Sequence, residues 1–69
     1  MHDKIELEGD FIKLDQLLKF SGIASTGGQA KIIITNGGVK VNDEIVVQRG
    51  KKIRPGDVVE VEGVKIEVG

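Results

Sequence analysis

Thr26-Gly27-Gly28-Gln29-Ala30-Lys31-Ile32-Ile33-Ile34-Thr35-Asn36-Gly37-Gly38-Val39-Lys40-Val41-Asn42-Asp43 is the stretch on which the fold turns, because its apolar period changes from helical to alternating across Gly37-Gly38. Ala30, Ile33, Ile34 and Gly37 fall on one stripe of a 3.6-residue period, and Gly27, Lys31 and Thr35 fall on another. Thr26 followed three residues on by Gln29 predicts a capping box. In it the Thr26 hydroxyl takes an orphan amide of the first turn, and Gln29 reaches back to the Thr26 N–H. Asn36-Gly37-Gly38 ends the helix. Beyond it Val39 and Val41 point one way and Lys40 the other. Asn42-Asp43 can supply the positive φ of a tight hairpin that returns through Ile45-Val46-Val47.

Toward the N-terminus, Leu14, Leu17 and Leu18 sit at helical spacing, with Asp15 in the first turn and Lys19 four residues later. Gly22 can stop that helix, and the short segment 22–25 then joins two helices into a hairpin. Lys4-Ile5-Glu6-Leu7-Glu8 alternates polar and apolar residues, which predicts a half-buried strand over 4–8 ending at Gly9. Toward the C-terminus, Pro55-Gly56 suits a type II turn. Val59 and Val61 alternate with Glu60 and Glu62, and Gly63 leads into the alternating Val64-Lys65-Ile66-Glu67-Val68. The order is β-α-α-β-β-β-β. It predicts one α+β domain over 1–69, a two-helix hairpin packed on a small, mostly antiparallel twisted sheet of four to five strands.

Composition agrees with this and narrows the function. Val, Ile, Leu and Phe fill 24 of 69 positions, and 18 of these are β-branched, so strands supply much of the core. No apolar run exceeds three residues, so a transmembrane helix or signal-peptide core is not expected and the chain reads as cytoplasmic. With no Cys there is no disulfide scaffold, thiolate metal site or cysteine nucleophile. Net charge is −1 but unevenly spread. Residues 1–30 carry −2 and residues 55–69 carry −3, while residues 31–54 carry +4 through Lys31, Lys40, Arg49, Lys51, Lys52 and Arg54. A basic segment in an acidic chain fits a directed anion contact, and it also fits an ordinary solvated face.

Catalysis is not expected. The single histidine, His2, adjoins the initiator Met, where chain ends are usually mobile, so no role is expected of it. Ser21, Ser25, Thr26 and Thr35 then lack a base, and the carboxylates alternate with apolar residues as solvated charges do. No metal or cofactor is implied. Gly27 and Gly28 have two readings: they set a turn, or they leave bare N–H groups at the positive end of a helix, where phosphate oxygens bind, with Lys31 one turn further on the same stripe. In an extended 51–54 segment, Lys52 and Arg54 share the solvent side while Lys51 and Ile53 share the other. Phe11 and Phe20 are assigned to the core, which leaves no aromatic for base stacking, so any nucleic acid would be held by backbone and shape.

The ordered set Leu14-Asp15 with Leu17-Leu18, Thr26 with Ala30, Gly38-Val39-Lys40-Val41-Asn42 and Pro55-Gly56-Asp57 resembles the small RNA-binding domain named for ribosomal protein S-four, the αL motif. The resemblance spans a core motif over 14–61, flanked by the strands at 4–8 and 64–68. The helix start Thr26 through Lys31 is most similar to the short stand-alone bacterial YbcJ/YaaA-like group. The resemblance implies a module standing alone or with a partner protein, docking a basic helix-and-hairpin surface on structured ribosomal or transfer RNA. The expected contacts are Thr26, Gly27, Gly28, Lys31, Lys40, Asn42, Arg49, Lys51, Lys52 and Arg54. Where many members place Arg after the helix-start Ser, this chain has Gly27, which shifts weight to backbone amides and Lys31. The expected partners are therefore rRNA or tRNA, with ribosomal or assembly proteins as further candidates, no membrane, and a monomeric state.

Two readings from another class stand beside it. The segment from Val39 to Val68 distantly resembles ubiquitin-like sulfur carriers, although the chain ends Glu67-Val68-Gly69 with one Gly where carriers show two. Uncovered strand edges could also pair with a protein partner.

Overall fold

In the computed structural model, which describes residues 2–69 and only the backbone of residues 2 and 3, the sheet is set by turns that require positive φ. Asn42 and Asp43 adopt φ of 52° and 69°, the pair a type I′ turn needs, and fold β3 (Val39–Val41) onto β4 (Glu44–Ile45). Glu62 and Gly63, at 51° and 80°, do the same between β6 (Val58–Val61) and β7 (Val64–Val68). Ahead of β6, Gly56 takes φ 99° and the Asp57 amide donates to the Arg54 carbonyl at 3.0 Å, the type II geometry read from Pro55-Gly56. β1 (His2–Ile5) pairs parallel to β7 and completes a five-stranded sheet of order β1-β7-β6-β3-β4, with every other pairing antiparallel.

Alternation then sorts the sheet's two faces. Val39, Val41, Val59, Val61, Ile66 and Val68 point into the core with Ile5, while Lys40, Glu60 and Lys65 leave the other side in one cross-strand row. The helices α1 (Leu14–Phe20) and α2 (Gly27–Thr35) close the inner face through Leu14, Leu17, Leu18, Ala30 and Ile34, each with no exposed surface. No polar or charged residue is buried among the described residues.

A second, two-stranded sheet decides where the basic segment lies. β2 (Ile12–Lys13) pairs antiparallel with β5 (Lys52–Ile53), Ile12 opposite Ile53 and Lys13 opposite Lys52. The ribbon runs into α1, which has no side-chain cap. Its first amides, from Leu14 and Asp15, donate instead to the carbonyls of Lys51 (2.9 Å) and Arg49 (3.1 Å). The loop thus caps the helix and the helix fixes the loop.

Several expectations need correction. Phe11 and Phe20 are not in the core: they are 41% and 72% exposed, because the core is already filled by the leucines of α1 and by Ile53 beneath the ribbon. Gln29 accepts from the Ser25 amide (2.8 Å) and not from that of Thr26, while the Thr26 hydroxyl accepts from the Gln29 amide (3.1 Å) as predicted. The first strand ends at Ile5 and not at Glu8, although the Leu7 amide still donates to the Gly69 carbonyl at 2.8 Å. The hairpin return covers only Glu44–Ile45, since after the Val46 amide reaches Val39 O the chain departs toward Arg49 and the start of α1. The expectation for His2 concerns a side chain outside the described residues.

Gly38 lies against the end of α2, close to Ile33. A Cβ on Gly38 would lie 3.0 Å from the Ile33 carbonyl oxygen and 3.3 Å from Ile33 Cγ2, whereas one on Gly27 would meet open space. Gly38→Ala is expected to destabilise by about 1–2 kcal/mol, lowering Tm by roughly 5–10 °C, while Gly27→Ala leaves it within about 2 °C. Thermal melts of the two variants side by side check this, and equal midpoints would contradict it.

Candidate nucleic-acid interface

Three groups of polar side chains follow from this frame. The first is the β2–β5 ribbon. Directly opposed antiparallel residues project from the same side, so Lys13 and Lys52 stand together, both exposed. Like charges facing each other across strands cost stability, and here Lys52 Nζ leans over the Phe11 ring at 4.9 Å from its centroid. Arg49, Lys51 and Arg54 continue the segment on either side, all exposed. Sequence reasoning misses Lys13 because its partner lies far along the chain. The one local sign of it is the Phe11-Ile12-Lys13 alternation before the leucine helix.

The second group is the start of α2. Thr26 is extended (φ −137°, ψ 163°) and caps the helix, so its hydroxyl is already used. The amides of Gly27 and Gly28 precede the first intrahelical bond, which is donated by Ala30 to the Thr26 carbonyl, and both glycines are exposed. Lys31 follows on the same exposed stripe.

The third group is the β3–β4 hairpin, where the structure gives Asn42 a bracing role. Its Nδ2 donates to Asp57 Oδ1 (3.0 Å), its Oδ1 accepts from the Val58 amide (3.0 Å), and Asp57 Oδ2 accepts from the Arg54 amide (2.8 Å). Asn42 and Asp57 therefore lock the hairpin to the Pro55-Gly56 turn. That turn is where the basic segment ends, so the brace sets the position of Arg54. Asn42 and Lys51 also line one open groove of about 430 Å3 with the exposed Ile45 and Val47.

Lys40 stands apart. It leaves the sheet on the face away from the helices, between Ile45 and Glu60 in register, so it does not share a layer with Lys31. Glu60 stands opposite it in register, between Lys40 and Lys65.

Asn42→Ala is expected to cost about 1–3 kcal/mol, since it removes two hydrogen bonds, one donated to the Asp57 carboxylate and one accepted from the Val58 amide, each worth about 0.5–1.5 kcal/mol. Asp57→Ala should cost a similar amount, and the double variant less than the sum. Urea titrations of the three chains give the coupling, and strict additivity would show that the brace is not a unit.

Among the described residues, no group of three or more His, Cys, Asp or Glu side chains is placed to hold a metal ion, and no helix is long and apolar enough to cross a membrane. The arrangement is that of a small α+β binding domain, whose polar groups are long cations on a ribbon, free amides at a helix start and a braced hairpin. The S4 domain matches residues 5–69, and the chain belongs to the S4 domain family. It is 41% identical over 63 residues to the probable ribosome maturation protein RlbA of Bacillus subtilis, a match covering 91% of this chain and 89% of that one. To YbcJ of Escherichia coli it is 37% identical over 57 residues, covering 83% and 81% of the two chains. The solution structure of YbcJ, described as revealing an αL motif involved in RNA-binding, superposes with a TM-score of 0.66 at 31% identity, over 97% of this chain and 84% of that one. A match to the Bacillus subtilis ribosomal large subunit pseudouridine synthase B is 36% identical over 55 residues and covers only 22% of that protein.

Proposed function

We propose that the protein is a non-catalytic RNA-binding module that holds structured ribosomal or transfer RNA by its phosphates, in ribosome assembly or translation. The observation that carries this is the β2–β5 ribbon, which gathers residues 49–54 against the start of α1 and sets Lys13 beside Lys52. Long cations spaced over one surface match the spacing of backbone phosphates, and each contact releases counterions. Membership of the S4 domain family, the RNA-binding αL motif described for YbcJ and the name of RlbA support the ligand class. In this reading Lys13, Lys31, Arg49, Lys51, Lys52 and Arg54 take phosphates, helped by the Gly27 and Gly28 amides. Thr26 and Asn42 act by holding the helix start and the hairpin in place, and Lys40 contributes at the margin. Gly69 itself is held against β1, its amide donating to Ile5 O (2.7 Å) and its carbonyl accepting from the Leu7 amide.

An amide-shift titration by NMR with bulk transfer and ribosomal RNA tests the reading. Shifts are expected at residues 13, 27–31 and 49–54, stronger there than at Lys40. Shifts confined to the sheet edges β1 and β4 would place the RNA on another surface, and none in low salt would turn the search to protein partners.

A further inference from the structure

The two phenylalanines that the core does not need lie on one groove. Phe11 and Phe20, with the half-buried Leu7 and Ile12, line a depression of about 350 Å3 beside the ribbon. That volume is at the low end of clefts that take small molecules, too small for the several side chains of a docked helix and suited to one flat ring. Phe11 and Phe20 are the exposed aromatic side chains of the chain, and they are gathered in this one depression, which makes it a candidate binding site. The charges on its rim are ordered. Glu6 and Glu8 line one part of the groove. Next to Phe11, the ribbon presents Lys13 and Lys52, the latter over the Phe11 ring.

From these observations we propose that the groove takes a single unpaired nucleobase of the bound RNA, stacked against Phe11 and Phe20, with its flanking phosphates on Lys13 and Lys52. The proposal rests on the RNA-binding reading above and deepens it by naming a nucleotide outside the paired helix as part of the ligand. An aromatic face stacks on any base, and a neighbouring cation both polarises the ring and fixes the phosphodiester beside it. The carboxylates of Glu6 and Glu8 repel phosphate, which restricts the backbone to the lysine side. They also accept hydrogen bonds from amino-bearing base edges, so guanine is a better occupant than uracil.

Two hairpin RNAs of the same paired sequence, one fully paired and one carrying a single bulged guanosine, test the proposal by fluorescence anisotropy and by the ring proton shifts of the two phenylalanines. The bulged probe is expected to bind more tightly and to shift both rings. Phe11→Leu and Phe20→Ala are each expected to weaken the bulged probe about tenfold and the paired probe less than twofold. Phe20 is 72% exposed, and Phe11→Leu keeps an apolar side chain at a 41% exposed position, so circular dichroism should show folded variants. Equal affinity for both probes with unmoved rings would overturn the groove assignment and leave the basic-surface reading standing. Failure to bind either probe would overturn both. Ring shifts with an arginine-rich peptide but not with the bulged RNA would overturn it by assigning the groove to a protein.

Discussion

Leu17→Ala is expected to leave the chain largely unfolded at 25 °C. Leu17 is fully buried on α1, between Leu14 and Leu18 and in one cluster with Ala30 and Ile34 of α2. A leucine truncated in such a place costs about 2–5 kcal/mol, more where the site cannot collapse. Here it cannot readily collapse. α1 has seven residues, pinned at its start by the Lys51 and Arg49 carbonyls and at its end by the Ala24 amide on Leu18 O. A helix that short has no stability of its own, so packing holds it. A core in a domain below about 70–80 residues rarely supplies more than about 3–5 kcal/mol, and one truncation removes most of that. Because the α1 start and the 49–51 loop cap each other, the basic segment should lose its order with the helix. Far-UV circular dichroism in a urea series reads the outcome, with Ile32→Ala at a 60% exposed position as the near-neutral control. A wild-type midpoint for Leu17→Ala would show that α1 does not hold the fold.

The second large effect is on binding. Lys51→Glu with Lys52→Glu is expected to weaken structured RNA binding about a hundredfold at fixed salt, taking about 1.5 kcal/mol for each charge-assisted hydrogen bond to phosphate that is removed. The fold should survive. Both side chains are exposed, the Lys51 carbonyl that caps α1 is backbone, and a glutamate at 52 would face Lys13 as an opposite charge. Lys40→Glu should weaken binding several-fold less, because that side chain leaves the other face of the sheet. Anisotropy titrations on one RNA separate the two, and equal effects would place the surface on the sheet.

What could be read in advance follows the range of the interactions involved. Turns are local: Asn42-Asp43, Pro55-Gly56 and Gly63 announce positive φ by residue type, and all three lie where expected. The Val39/Val41 and Val59/Val61 alternation likewise depends on neighbours two residues away. Pairings at long range carry no such mark. Nothing near Lys13 indicates that Lys52 will stand opposite it, and two-residue strands are too short to show a period. The misplaced phenylalanines have the same origin. An aromatic residue is a good candidate for any core, and only the completed packing of Leu14, Leu17, Leu18 and Ile53 shows that no room is left. Asn42 stands out in the sequence as a turn residue, but its partners Asp57 and Val58 become visible only once the hairpin is laid against β6.

Phosphates held on the ribbon and the α2 start release counterions as they bind, so affinity should fall steeply with salt. With four or more phosphate contacts, log K against log salt should fall with a slope of about −3 or steeper for the wild-type chain on a structured RNA, and the double Lys51, Lys52 variant should flatten it by about 2. A wild-type slope near zero, or one unchanged in the variant, would show that these cations do not hold phosphates.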